Sequence, residues 1–143
     1  MRSNCQFGQR LPRALFDAMP LPVFIVDKDV TILEHNAAAS RLFVDDQRTR
    51  KQLRGGDVLK CLHATESPGG CGRSPACSRC GLRGAVNMAC QGQAINRQWL
   101  EMEVNQPGQP AEVNLRVSLR VSCQPFNYGK STLVLLVLEG LND

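Results

Sequence analysis

The feature that most restricts the fold is a strict alternation of apolar and polar residues near the C-terminus. In EVNLRVSLRVS, residues 112–122, valine or leucine fills each odd position from 113 to 121, and polar or charged residues fill the even positions. Neighbouring side chains of a strand point to opposite faces, so such a strand has one buried face and one face in water. This pattern is typical of an antiparallel sheet covered on one side.

Four more segments predict strands. VFIVD (23–27) and VTILEH (30–35) form a hairpin through the turn DKD, and NRQWLEMEV (96–104) precedes the alternating segment. The last, TLVLLVL (132–138), is apolar on both faces, which is typical of a strand that is covered on both sides. We expect the N-terminal helix, or the same helix of a second copy, to cover its outer face.

Apolar residues at helical spacing predict helices before and between these strands. Residues 10–19 predict an amphipathic helix, which the prolines that follow it end. The side chain of Asn36 is placed to cap a short helix over AAASRLFV. Residues 82–92 predict a longer helix that ends near Gly92. The mixture of helices and strands predicts an α+β domain.

The composition indicates one soluble globular domain. Of 143 residues, 43% are hydrophobic and 21% are charged. No run of apolar residues is long enough to span a membrane and no export signal is visible, so we expect a cytoplasmic protein. The net charge of +4 is spread along the chain, and its densest run, RTRKQLR, is best explained as a solvated helix face. Nucleic acid is therefore not an expected partner.

A glycine-rich polar segment, CLHATESPGGCGRSPACSRCG (61–81), contains four cysteines. They are Cys61, Cys71, Cys77 and Cys80. The two residues between the last pair allow both thiolates to meet one ion, and the first pair can complete a tetrahedral set. Four thiolates suit either Zn²⁺ or an iron–sulfur cluster, and the spacing does not decide between them.

Several roles are open to these cysteines. A zinc ion can staple a polar loop that would not fold otherwise. A cluster that oxygen damages, or thiols that release zinc on oxidation, would make the segment a sensor. Disulfides, redox chemistry at Cys77 and Cys80, and free thiols are further alternatives.

Residues near the cysteines in sequence have supporting roles in this hypothesis. Nearby arginines can offset the negative charge of a four-thiolate site, or can simply be solvated; they are Arg73, Arg79 and Arg83. His63 is close enough to replace a cysteine as ligand, although we favour a role outside the ligand set. Cys90 and Cys123 are interpreted as small buried apolar residues.

Little in the sequence points to an enzyme. Two histidines are a small supply of general bases, and no nucleophile elbow, phosphate loop or carboxylate pair is present. We therefore expect no enzymatic activity beyond the dithiol alternative. An apolar pocket inside the sheet is a candidate ligand site, although the same residues can simply form the core; they are Phe24, Val26, Ile32, Leu42 and Phe43.

The order of these elements resembles a PAS domain. LPVFIVDKDVTILEHNAAASRLF (21–43) places a hairpin before an asparagine and a helix of small residues. LRVSCQPFNYGKSTLVLLVLEGLND (119–143) has a long strand, a turn, a last strand and an acidic exit, which reads EGLND where many sensor kinases have Asp-Ile-Thr. The cysteine segment resembles an insertion in some PAS domains of bacterial histidine kinases.

The resemblance implies a five-stranded antiparallel sheet with helices on one face. It divides the chain into a tail (1–9), an N-terminal helix that is a candidate dimer contact (10–20) and a PAS-like domain (21–143) that carries the insertion. PAS domains bind small molecules or cofactors and pass their state to a partner. The implied partners are a second copy and a signalling protein such as a histidine kinase or a response regulator.

Two cofactors of PAS relatives are not expected here. NCQFGQ (4–9) is similar to the flavin-adduct motif, but it precedes the hairpin that it should follow. The helix over 82–92 lacks the histidine that commonly binds haem in this family. The sequence thus predicts a sensory module whose four-cysteine site responds to redox state or oxygen, and the alternative is a structural interaction module with a permanent zinc ion.

Overall fold

The computed structural model describes residues 11–43, 53–59, 61, 64, 70–73, 77, 80–105 and 114–140. The helices are α1 (11–18), α2 (Ala37–Ser40), α3 (Gly55–Leu59) and α4 (Gly81–Cys90). The strands are β1 (Val23–Val26), β2 (Ile32–His35), β3 (Ile95–Asn105), β4 (Asn114–Tyr128) and β5 (Ser131–Glu139). No helix in these ranges is long and apolar enough to cross a membrane.

The five strands form one sheet in the order β2-β1-β5-β4-β3, and each neighbouring pair is antiparallel. The first hairpin therefore joins the C-terminal strands through the pairing of β1 with β5, where Phe24 lies opposite Leu136. Strands β4 and β5 form a long hairpin whose turn contains Gly129 at a φ of 63°. The α+β fold with a five-stranded antiparallel sheet, expected from the sequence, is confirmed.

The core lies between the inner face of the sheet and α4. Along α4 the buried side chains recur at helical spacing, so that one stripe of the helix faces the sheet: Leu82, Ala85, Val86 and Ala89. The helix contacts β3, β4 and β5. This packing fixes the start of α4, where the last cysteine of the glycine-rich segment lies.

The predicted alternation is confirmed in β4. Leu119, Val121 and Cys123 are buried, whereas Ser118 and Gln124 on the other face are exposed. Val113 lies outside the described residues. In β5, alternate residues are buried in the core and the intervening apolar side chains are only half-buried. The outer face of β5 is thus apolar but incompletely covered.

Asn36 caps α2 and also ties two parts of the chain together. Its Oδ1 accepts hydrogen bonds from the backbone N–H groups of Ala39 at 2.9 Å and of Val23 at 3.0 Å. Its side chain is buried, and its Nδ2 donates to the carbonyl oxygen of Leu21 at 3.0 Å. Helix α2 ends at Ser40 rather than continuing through AAASRLFV as predicted.

Helix α1 lies beside the edge strand β2. The guanidinium of Arg13 donates to Oε1 of Glu34 at 3.0 Å and to the carbonyl oxygen of His35 at 3.2 Å. Leu11 and Leu15 are 42% and 56% exposed, so the residues that the structure describes do not bury the apolar stripe of this helix.

Candidate functional site

The four cysteines of the glycine-rich segment line one small cavity. It has a volume of about 20 Å³, and Cys61, Cys71, Cys77 and Cys80 all contribute to its wall. The rest of the wall comes from distant elements, chiefly Val30, Gly56, Leu82, Arg83 and Met102. A cavity of this size holds about one water-sized body.

Cys80 is placed by the start of α4. It is the N-cap residue of the helix, and its Sγ accepts a hydrogen bond from the backbone N–H of Arg83 at 3.5 Å. The backbone N–H of Cys80 also donates to the carbonyl oxygen of Cys77 at 3.2 Å, which forms a tight turn before the helix.

Cys71 is held by α3. Its backbone N–H donates to Oδ1 of Asp57 at 2.9 Å, while Oδ2 of the same carboxylate accepts from the N–H of Arg54 at 2.9 Å. Gly70 precedes it at a φ of 82°, and a Cβ there would lie 2.7 Å from Oδ1 of Asp57. The carboxylate at the start of α3 thus anchors the loop over 70–73.

Cys61 and Cys71 approach the same glycine. The N–H of Cys61 donates to the carbonyl oxygen of Gly56 at 2.9 Å. A Cβ on Gly56 would lie 2.9 Å from Sγ of Cys71 and 3.3 Å from Cβ of Cys61, so no side chain fits at this position. Cys61 also forms an isolated bridge to Val104 of β3, which ties the segment to the sheet.

A charge cluster lies against the cavity. Asp29, in the turn between β1 and β2, accepts hydrogen bonds from Arg83 at 2.7 Å, Arg54 at 2.9 Å and Arg73 at 3.2 Å. Burial acts to raise the pKa of the Asp29 carboxyl, but the hydrogen bonds from these arginines outweigh it and lower the pKa to about 2.

Arg83 links the charge cluster to a sulfur atom of the cavity. Its Nη2 donates to Sγ of Cys71 at 3.8 Å. Burial acts to lower the pKa of Arg83, but its hydrogen bonds to Asp29 and Cys71 raise it. Burial raises the pKa of the Cys71 thiol, and hydrogen bonds from Gly56 and Arg83 offset only part of that increase. The Cys71 thiol therefore holds its proton more tightly than an exposed cysteine does.

The donor chemistry of the cavity suits a soft metal ion. Four thiols meet at one apolar cavity, with a helix N-terminus and a guanidinium to offset thiolate charge. In the described part of the chain, however, no group of three or more Cys, His, Asp or Glu side chains is arranged so that it could hold a metal ion. The four cysteines thus share a cavity without forming a ligand sphere, and metal binding stays a prediction.

The other predicted site residues lie elsewhere. Of the apolar pocket set, Phe24 and Val26 are buried in the core, and the remaining three pack against it: Ile32, Leu42 and Phe43. None of these five lines the cysteine cavity. His63 and Arg79 lie outside the described residues.

Cys90 and Cys123 are not part of the cavity. Cys123 is buried in the core with Cys90 packed against it. Burial raises the pKa of both thiols, that of Cys123 to about 12. Since the thiolate is the reactive form, neither is a reactive cysteine at neutral pH.

Two residues of the site, Asp29 and Val30, have no signal in the sequence. DKD predicts only a turn, yet Asp29 accepts hydrogen bonds from three arginines and Val30 forms part of the cavity wall. Val30 has a φ of 61°, an uncommon conformation for a β-branched residue. The cluster cannot be predicted from residues near Asp29 in the sequence, because its arginines are brought to Asp29 only by the fold.

One family model matches part of the chain. The family model described as PAS domain matches residues 13–70. No curated protein matches the chain.

Solved PAS structures share its fold. The PAS domain of nitrogen regulation protein NR(II) from Vibrio parahaemolyticus is 19% identical with a TM-score of 0.58, over 91% of this chain and 97% of that one. The PAS domain of an HTR-like protein from Haloarcula marismortui is 17% identical with a TM-score of 0.51, over 94% and 96%. A domain of a sensory box sensor histidine kinase/response regulator from Geobacter sulfurreducens is 16% identical with a TM-score of 0.51, over 93% and 95%.

Proposed function

Since the chain has a PAS-like fold and the PAS family model matches its residues 13–70, we propose that it is a sensory module of signal transduction. Structural neighbours include a domain of a sensor histidine kinase/response regulator. A histidine kinase or a response regulator is accordingly the proposed partner, either fused to this domain or separate from it.

The proposed sensing site is the four-cysteine cavity. The observation that carries this proposal is that Cys61, Cys71, Cys77 and Cys80, spread over twenty residues, line one cavity of about 20 Å³. Since single cysteines also pack as small apolar residues, the proposal depends on the convergence of all four on one space and not on their burial.

The size of the cavity favours one ion over a cluster. A volume of about 20 Å³ accommodates about one water-sized body, whereas an iron–sulfur cluster of several atoms would require the walls to move apart. We therefore favour Zn²⁺, which four thiolates bind well. A bound ion would keep the thiols deprotonated and would link the cysteines that hold it.

The signal in this proposal is an oxidant such as hydrogen peroxide. Two cysteine thiols would give up two electrons and two protons to one peroxide molecule, forming one disulfide bond and two molecules of water. A cavity with a disulfide has two thiolates fewer for a metal ion, so oxidation and metal release would be linked.

A permanent zinc staple is the second candidate function. It is favoured by the shortness of α3, which has five residues, and by the polar, glycine-rich composition of the segment over 61–81. Such a segment has few apolar side chains to bury, so a metal ion would supply much of its stability. The domain would then be a structural interaction module.

Anaerobic purification followed by metal analysis and a visible spectrum tests both functions. The sensor is supported by a colourless protein that contains one zinc ion per chain and releases that zinc when micromolar peroxide is added. Stoichiometric zinc that peroxide does not remove supports the staple. A brown protein that air bleaches would show that an iron–sulfur cluster fills the site.

Serine variants locate the site. Cys71→Ser and Cys77→Ser should each lose the metal, whereas Cys123→Ser, which removes a buried thiol outside the cavity, should keep it. A protein that contains no metal under any condition, but whose thiols cycle with thioredoxin, would overturn both functions in favour of dithiol chemistry at Cys77 and Cys80.

A second copy of the chain is the other proposed partner. Helix α1 presents Leu11 and Leu15, and the outer face of β5 presents half-buried apolar side chains. Exposed apolar surface of this kind commonly marks an interface. A dimer that packs α1 of one copy near the sheet of the other would cover both.

A further inference from the structure

One side chain contacts both the cysteine cavity and the turn between β1 and β2. Arg83 donates from Nη2 to Sγ of Cys71 at 3.8 Å and from Nη1 to Oδ1 of Asp29 at 2.7 Å. Nη2 also donates to the backbone carbonyl oxygen of Asp29 at 3.2 Å. Only 16% of the Arg83 side chain is exposed, so these charge-assisted hydrogen bonds are partly shielded from water.

The turn that Arg83 contacts is strained. Val30 follows Asp29 with a φ of 61°, in the left-handed region that β-branched residues avoid. Its side chain is 1% exposed and forms part of the cavity wall. Such a conformation persists only where the surroundings hold it in place, and the hydrogen bond from Arg83 to the carbonyl oxygen of Asp29 lies next to it.

We propose that Arg83 is a positioning residue that couples the sulfur atoms of the cysteine cavity to the strained turn at Val30. The proposal rests on the proposed function, since it takes the cavity to be the sensing site. While Cys71 accepts from Arg83, the guanidinium is held between the sulfur and Asp29, and the turn is locked. When oxidation or another ligand engages that sulfur, Arg83 loses a partner and its hold on the turn weakens.

The local backbone leaves room for this contact. Gly72 follows Cys71 with a φ of 88°, and a Cβ at this position would overlap Nη2 of Arg83. A side chain at this position would therefore displace the guanidinium from the sulfur. The glycine, the cysteine and the arginine form one unit at the cavity wall.

Arg73 offers a matched comparison. It also donates to Oδ2 of Asp29, at 3.2 Å, but its side chain is 45% exposed and it does not line the cavity. If the turn depends only on the positive charge around Asp29, Arg73 and Arg83 should be equivalent. If it depends on the link to sulfur, they should differ.

A double-mutant cycle read by amide hydrogen exchange tests the proposal in reduced, metal-free protein. The reporter is the N–H of Thr31, which donates to Oδ1 of Asp27 inside the turn at 3.0 Å. The N–H of Leu136, in the core strand β5, reports global unfolding and is used to normalise the data. The variants are Cys71→Ala, Arg83→Gln and their combination, with Arg73→Gln as the matched control.

We expect Cys71→Ala to lower the protection of Thr31 by about fivefold in the otherwise unchanged protein and by less than about twofold in Arg83→Gln. In Arg73→Gln the full effect of Cys71→Ala should remain. Arg83→Lys keeps the positive charge but lacks the two-pronged guanidinium, and it should show an intermediate coupling. If Arg83→Gln does not fold, Arg83→Lys takes its place in the cycle.

The opposite results overturn the proposal. Effects of Cys71→Ala and Arg83→Gln that multiply without interaction would show that the sulfur and the turn are not linked through Arg83. The cycle uses no metal or oxidant, so coupling in a protein that neither binds zinc nor responds to peroxide would keep the proposal and refute the proposed function. Zinc binding without coupling would refute the proposal alone.

Discussion

At the scale of single residues, Asp29 is the electrostatic centre of the site. Its pKa is lowered to about 2 because three arginines donate to it, although its side chain is 33% exposed. A carboxylate whose folded pKa lies below its unfolded pKa stabilises the protein above the unfolded pKa, near 4, and that contribution is lost as the pH falls toward 2. As the pH falls from about 4 to about 2, the contribution of Asp29 to the stability of the cavity side of the molecule should therefore be lost.

Asp29→Asn tests this contribution. At pH 7 we expect the variant to lose about 1–2 kcal/mol of unfolding free energy, a figure reduced for the solvent exposure of the carboxylate. The gap between the two proteins should close as the pH falls from about 4 to about 2, because the wild-type carboxylate becomes protonated. Urea denaturation at several pH values measures the gap. A difference that is constant across this range would show that Asn disturbs packing rather than charge.

Val30 gives a second prediction at the same scale. A valine in the left-handed region is strained by about 1–3 kcal/mol, and glycine adopts that region freely. Val30→Ala and Val30→Gly both remove buried methyl groups, but only glycine releases the strain. We expect Val30→Gly to be less destabilising than Val30→Ala by about 1 kcal/mol in urea denaturation. An alanine variant that is the more stable of the two would contradict the backbone strain.

Sequence patterns predict which residues are buried in the core, but they do not predict the charge cluster around Asp29. The alternation in β4 predicts which side chains are buried because each strand position has only two faces. The partners of Asp29 come from 25, 44 and 54 residues further along the chain. No local period connects residues at such separations, so the cluster becomes visible only after the fold brings them together.

At the scale of elements, α3 and α4 shape the cavity between them. Helix α4 presents Cys80 at its N-cap, and α3 presents Gly56 as a surface without a side chain, against which Cys71 packs. Spacing within the sequence predicted that the cysteines would act together. It did not predict that the glycine of a separate short helix would be needed to bring two of them close.

Gly56→Ala tests that requirement. The new Cβ would lie 2.9 Å from Sγ of Cys71, closer than real contacts allow, so the cysteine or the helix must shift. We expect a loss of about 1–3 kcal/mol in unfolding free energy, and the loss of metal if the cavity binds it. Gly84→Ala is the matched control, since nothing lies within 4 Å of its Cβ and it lies inside α4. It should gain about 0.5–1 kcal/mol.

Equal effects of the two alanine substitutions would contradict the close approach at Gly56. Denaturation by urea measures both variants, and zinc content per chain measures the consequence for the cavity. If Gly56→Ala lost stability but kept its zinc, the glycine would matter to the fold and not to the sulfur atoms.

At the scale of the whole molecule, the order of elements was predictable and the outer surface was not. Hairpin, helices and three antiparallel strands follow from period-two and helical patterns. The five-stranded antiparallel sheet, in the order β2-β1-β5-β4-β3, is what the resemblance to PAS domains implied. Apolar residues on both faces of β5 predict cover on both sides. The pattern cannot say whether that cover comes from the same chain, because an intramolecular and an intermolecular contact bury the same side chains.

The exposure of α1 favours cover by a second copy. Leu15 is 56% exposed and the apolar residues on the outer face of β5 are half-buried, so the described residues of one chain leave both surfaces in contact with water. We expect the protein to be a dimer at micromolar concentration in sedimentation equilibrium. Leu15→Glu places a charge in that contact twice per dimer and should weaken the dimer at least about 100-fold, since burying each leucine is worth about 2 kcal/mol.

Tyr128→Ser controls for the loss of apolar surface as such. Tyr128 is 72% exposed next to the turn between β4 and β5, and its replacement should leave the dimer intact. A wild-type protein that sediments as a monomer at high micromolar concentration would refute the dimer. Equal weakening by both substitutions would mean that general hydrophobicity, and not α1, holds the copies together. Loss of dimer in Leu15→Glu alone would place α1 at the contact between the two copies.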